Sequence, residues 1–231
     1  GGIVLGYPCL YLVLAAVGLY SIPYKITYAF QFIPLALTAA LYPRFSEYFA
    51  HSKEKLTPLI EKGLTYLLTI VFPIAIGIIV LAKDIVLTLY TQDFLPSVIP
   101  LKILMISLLF SFVSFPIGSL LNACNRQVTQ TVIVGSVMVT NIIANLLLIP
   151  RLGVTGAALS ALIGNILLTV LGYSFIPSIT ALSHRAIAAT IGKLMISAGL
   201  MGIVVWYTNI KAHFIVAILI GTLSIIPIVN M

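Results

Sequence analysis

Eight stretches of this chain run without a charged side chain: 1–24, 26–43, 63–82, 103–125, 127–150, 152–184, 194–210 and 212–231. A helix needs about 20 predominantly apolar residues to cross a ~30 Å hydrocarbon layer, so these runs act as a ruler. Inside lipid every backbone N–H and C=O must be satisfied by the chain itself, which leaves helices and closed barrels as spanning structures. The runs lack the apolar/polar alternation of barrel strands. The expected fold class is therefore all-α: a polytopic membrane helix bundle of about seven or eight transmembrane helices, multi-pass in the cell (plasma) membrane.

Composition excludes the soluble alternative. Of the 231 residues, 61% are hydrophobic and 7% charged, whereas soluble domains hold about 45–50% apolar and about 25% charged residues. The opening stretch has no basic n-region and no small-residue cleavage site, so no signal peptide is expected. The chain reads as a fragment entered partway through a membrane protein. The net charge of +7 comes from twelve Lys/Arg spread over the connections. Without a basic tract this suits loops beside anionic membrane lipid and gives no sign of a nucleic-acid partner. Cys9 and Cys124 stand alone in apolar surroundings, as small buried hydrophobes do.

Along the chain, residues 3–19 read either as a marginal span or as a helix tail with a tight connection, because Gly6, Pro8 and Gly18 interrupt them. A helix is expected over 20–43, stopping near Pro43, and a polar loop over 44–62. Further helices are expected over 63–81, 102–122, 128–149, 155–176, 191–208 and 214–231. The amphipathic stretch 83–94 is expected to lie along the interface. By alternation, 44–62, 123–127 and 177–193 share one side and hold Arg44, Lys53, Lys55, Lys62, Arg126, Arg185 and Lys193. The other side holds Lys83, Lys102, Arg151 and Lys211. The positive-inside rule then makes 44–62 and the C-terminus cytoplasmic.

One cation remains, Lys25, set within uncharged sequence and without an acid in its run. An intramembrane cation is costly and is usually kept for a partner or a water-filled cavity. Ser21, Lys25, Tyr28 and Phe32 follow helical spacing and share one face, with Gln31 on its flank and Tyr24 beside it. Two readings fit: a cavity wall where an ammonium and hydroxyls meet a phosphate or carboxylate, or a lysine near a helix start at Tyr20 snorkelling to the interface. Asn141 and Asn145, one turn apart, suit hydrogen bonds across helices or a cavity lining. Gly156, Ser160 and Gly164 form a small-residue ridge that lets another helix approach closely. Pro34, Pro73, Pro116 and Pro227 fall inside helices and permit kinks.

Nothing points to catalysis or to a cofactor. There is no P-loop, GxGxxG or HExxH, and His51, His184 and His213 are far apart at loops or helix ends. No metal site is expected. The acids Glu47, Glu54, Glu61, Asp84 and Asp93 all fall in polar connections. A deep lysine without a deep acid favours an anionic substrate.

The residues also carry a resemblance. Ala16-Val17-Gly18-Leu19-Tyr20-Ser21 with Tyr24-Lys25-Ile26 is followed by Ala40-Leu41-Tyr42-Pro43-Arg44-Phe45-Ser46. Then come Leu121-Asn122-Ala123-Cys124-Asn125-Arg126, Asn141 to Asn145, and Leu148-Ile149-Pro150-Arg151-Leu152-Gly153-Val154-Thr155-Gly156. In this order, over roughly 3–176, the chain resembles the oligosaccharide and polysaccharide flippases of the multidrug/oligosaccharidyl-lipid/polysaccharide exporter superfamily. The resemblance implies a two-lobe fold around a central cavity. Residues 1–176 would be the C-terminal lobe, from the end of helix 7 to helix 12, and 177–231 two additional helices.

It further implies alternating-access movement of polyprenyl-diphosphate-linked glycans across the cytoplasmic membrane, without enzymatic chemistry. The partners would be an anionic lipid-linked glycan, membrane lipid and a missing N-terminal lobe. The expected substrate-binding residues are Lys25, Ser21, Tyr28, Gln31, Asn141 and Asn145. Two other readings stay open: a drug/cation antiporter of the same superfamily, which needs a membrane carboxylate, and an integral-membrane polyprenyl-sugar transferase. The second would need paired acids or a metal site at a helix end, for which only Asp84 and Asp93 are candidates.

Overall fold

In the computed structural model, residues 6–180 and 184–211 are described, with side chains over 15–180 and 188–203. Seven α-helices follow one another: α1 (Gly6–Phe30), α2 (Phe32–His51), α3 (Leu56–Leu89), α4 (Val98–Ala123), α5 (Gln127–Leu152), α6 (Val154–Phe175) and α7 (His184–Lys211). Short 3-10 turns over Lys53–Lys55, Gln92–Ser97 and Ile176–Ser178 complete the path, and no strand occurs among the described residues. Five helical stretches there are long and apolar enough to span a membrane, α1 and α2 counting together as one. The helix expected over 214–231 lies outside the described residues.

The elements are longer and less interrupted than hydropathy suggests. Residues 3–19 and 20–43 are not separate pieces: from Gly6 the helix runs to Phe30, breaks only at Gln31 and continues to His51. Pro43 sits inside α2 instead of stopping it. The 44–62 segment is helical except for its 3-10 turn, and Phe45, Leu56 and Ile60 within it are fully buried. The stretch 83–94 does not lie flat. α3 carries on to Leu89, with Ala82 and Val86 fully buried against the bundle. One missing N–H at a proline costs a single ladder bond, but ending a helix in lipid would strand several backbone groups.

α4 occupies the middle. It packs on α1, α2, α3 and α6, and half of its apolar window is buried, against 11% for α5. Two apolar clusters divide its length. One joins Leu67, Val71 and Ala75 of α3 to Leu101, Met105, Leu108 and Phe112 of α4, with Leu194 and Ala198 of α7 alongside. The other gathers Phe45, Leu56, Ile60, Leu120, Leu121, Ile133 and Ile176. Thr57 and Thr180 are hydrogen-bonded across it. The α2–α3, α4–α5 and α6–α7 connections thus meet at one end, as alternation requires.

At the opposite end Ser97 donates to the Leu19 carbonyl at 2.7 Å, fixing α1 to the α3–α4 connection. The α5–α6 reversal takes one residue, Gly153, whose φ of 55° is a conformation that favours glycine. The small-residue ridge does what its spacing predicts: at Gly156 a Cβ would collide with the Leu148 carbonyl, and at Gly164 with the Asn141 amide.

Candidate functional site

Between α1, α4 and α6 lies a cavity of about 130 Å³. The α1 wall is Tyr20, Tyr24, Thr27 and Tyr28, which lie on one face of the helix, with Gln31 just past its end. Tyr20 and Tyr24 have ring centroids 6.1 Å apart, and Tyr24 stacks on Tyr28 at 5.8 Å. The other wall carries Ser107 and Ser111 of α4 and Asn165 of α6. Asn165 Nδ2 donates to Ser107 Oγ at 2.8 Å, and Ser107 donates onward to the Ala161 carbonyl at 3.4 Å. Thr169 bridges the same two helices through the Phe110 carbonyl at 3.0 Å.

The cavity sits at membrane depth. Ser107 is nine residues into α4, about 14 Å along its axis at about 1.5 Å per residue. Hydroxyls and amides at that depth need partners, and the pairs above supply them for Ser107, Asn165 and Thr169.

Lys25 does not line this cavity. It projects from the open face of α1 next to the tyrosines, where it is exposed and forms no ion pair with a described residue. Tyr28 and Phe32, on the same face, are 61% and 65% exposed. Leu19 is level with the α3–α4 connection through Ser97, so Lys25, six residues further, lies about 9 Å below it. The helix does not start at Tyr20 but runs through it from Gly6.

The expected site residues separate into groups. Tyr28 and Gln31 line the cavity, and Gln31 also occupies the break between α1 and α2. Ser21 lies in an adjoining apolar groove of about 580 Å³ with Tyr20, Tyr24, Gly153 and Ala157, its hydroxyl donating to the Gly18 carbonyl at 2.8 Å. Asn145 lines a shallow surface with Ile142, Leu146, Ile149 and Pro150. Asn141 packs on Gly164, and its Oδ1 is buried without a hydrogen-bond partner. The cross-helix hydrogen bond expected of that oxygen is therefore not formed, because α5 and α6 approach too closely there to seat a partner group.

Thr27, Ser107, Ser111 and Asn165 are among the cavity residues that sequence reasoning did not select as site residues. For the last three the signal was present: two serines one turn apart in an apolar helix, facing an asparagine in another. No group of three His, Cys, Asp or Glu able to hold a metal occurs among the described residues.

This arrangement of helices matches known proteins. The sequence profile of the family described as "Lipid II flippase MurJ" covers residues 26–224. The chain belongs to this family of flippases. It is accordingly a multi-pass protein of the plasma membrane within the same exporter superfamily. A curated relative, the "Probable flippase AglR" of Haloferax volcanii, is 27% identical over 195 residues, 82% of this chain and 40% of the relative. A solved structure of the lipid II flippase MurJ in an inward closed conformation superposes with a TM-score of 0.75 at 16% identity. That match covers 92% of this chain and 46% of the MurJ chain. The chain thus spans less than half the length of the proteins it resembles. Lipid flippases of this kind are transporters.

Proposed function

We propose that this chain forms part of a flippase that carries polyprenyl-diphosphate-linked oligosaccharide or polysaccharide repeat units across the plasma membrane by alternating access, with no chemical catalysis. Residues 1–176 act as one lobe, with the 44–62 end on the cytoplasmic side, and 177–231 add two helices beside it. A second, N-terminal lobe faces α1. The observation that carries this reading is Lys25: an exposed ammonium at membrane depth, beside a tyrosine-lined polar cavity and without an ion-pairing partner among the described residues. A diphosphate crossing on that face replaces part of the ammonium's lost hydration with charge-assisted hydrogen bonds, each about 1.5–3 kcal/mol.

Tyr28 and Gln31 supply neutral donors next to that charge, and Ser21 widens the path toward the apolar groove.

Glycan export measured in cells supplies the test. Lys25→Ala should reduce transport about tenfold or more, since ~1.4 kcal/mol is a factor of ten, while membrane insertion is unimpaired. Lys25→Arg should retain much of the activity. Normal export by Lys25→Ala at matched expression would remove the head-group role.

A further inference from the structure

A second cavity, mostly apolar but with a few polar side chains, lies toward the other end of the same long helix. It is an open groove of about 420 Å³ between α2, α4 and α5, within the roughly 300–1,000 Å³ usual for small-molecule sites. Its polar lining includes Tyr42, Ser119, Asn122 and Gln130, with Phe115 as a further aromatic wall. No charged residue lines it. The amides of Asn122 and Gln130 form no hydrogen bond with a described residue and are not enclosed. Gln130 is held in place from behind: its Nε2 sits where a Cβ on Gly118 would come within 2.8 Å.

Two amides left open in an otherwise apolar helix surface are costly against lipid, so this cavity holds water or a polar ligand. Each amide offers two donors and an acceptor, a set that matches adjacent hydroxyls and gives no preference for net charge. Tyr42 and Phe115 present flat apolar faces of the kind that pack on the C–H face of a sugar ring. Tyr42 is fourteen residues from Tyr28, about 21 Å along the helix path. The two cavities approach each other at Gln31–Leu35 and Ser111–Ser114, while Tyr42, Asn122 and Gln130 lie at the end away from Lys25.

We propose that the Tyr42–Asn122–Gln130 cavity is a binding site for a neutral, hydroxyl-rich sugar, distinct from the cationic site at Lys25. The assignment rests on the flippase reading above and deepens it: one site takes the anionic link, the other the glycan.

The experiment measures binding to the protein in lipid nanodiscs, with empty nanodiscs as the blank. One probe is farnesyl diphosphate. The others are farnesyl-diphosphate-linked glucose, galactose, mannose and N-acetylglucosamine. The wild type should bind at least one sugar-bearing probe about tenfold more tightly than farnesyl diphosphate, a gain of about 1.4 kcal/mol. Asn122→Leu/Gln130→Leu should abolish that gain and leave farnesyl diphosphate affinity unchanged, which also shows that the variant is folded. Gly118→Ala, which displaces Gln130 without altering an amide, should reduce the gain as well. Lys25→Ala should weaken all five probes. A wild type that shows no sugar-dependent gain with any of the four, or a double variant that keeps the gain, overturns the sugar site alone. A wild type that fails to bind farnesyl diphosphate overturns the flippase reading and the sugar site with it.

Discussion

Asn141 of α5 lies directly over Gly164 of α6, so close that a methyl group on the glycine would occupy the amide's place. The Asn141 Oδ1 is buried there without a partner. Close approach and an unsatisfied oxygen at one contact give opposite signs to two substitutions. Gly164→Ala should destabilise the protein by about 1–3 kcal/mol, the usual cost of overpacking. Adding Asn141→Ala should recover most of the loss, because the methyl then fills vacated space. Thermal unfolding of the four combinations in detergent measures this, and equal loss in single and double variants would contradict the contact.

Asn165 joins α6 to α4 through Ser107 at 2.8 Å. Interhelical hydrogen bonds in membranes contribute about 0.6 kcal/mol on average and up to about 1.7. Asn165→Leu should lower stability within that range, and Ser107→Ala should add little to it because both remove the same bond. A double-mutant cycle reads the coupling directly. Additive losses would show that the two side chains act independently.

Cys124 caps α4 at the end shared with the 44–62 segment and is 2% exposed. Burial pushes its thiol up to about 11, with the Lys53 ammonium pulling slightly the other way. The protonated thiol is a poor nucleophile, so labelling by a thiol reagent should be slow in native protein at pH 7–9 and fast after denaturation. The sign for stability follows from the raised value. The folded state keeps its proton where the unfolded thiol, near 9.0, has lost it. This contribution is therefore complete below about pH 9 and is lost as pH rises toward 11. Cys124→Ser should flatten that part of the profile.

The ends of the bundle should lie on opposite sides of the membrane. Glu54, at the α2–α3 turn, and Gln92, at the α3–α4 connection, are both exposed. In a background lacking Cys9 and Cys124, Glu54→Cys should react with an impermeant maleimide only from the cytoplasmic side, and Gln92→Cys only from outside. Labelling of both from the same side would contradict the orientation assigned from the loop cations.

What the sequence determined by itself is the solvent and the element type. Uncharged runs near the length of a membrane crossing leave helices as the solution, and the turns at Asn125 and Gly153 were legible because each interrupts an apolar run with residues that suit positive φ. The Gly156–Gly164 ridge was legible for the same reason, since helical spacing alone puts small residues on one face. Helix ends were not. Residues 44–62 and 83–94 carry charges, and hydropathy reads charge as an end. Yet Phe45, Ile60 and Val86 among them are buried against neighbouring helices, and their backbone bonds are kept. Only the tertiary structure decided that α1 runs unbroken past Tyr20, that Tyr24, Ser107 and Asn165 meet in one cavity while Lys25 stands outside it, and that Asn122 and Gln130 face a common space. Those relationships join residues far apart in the chain, and a helix's periodicity specifies which side chains share a face but not which helix that face will meet.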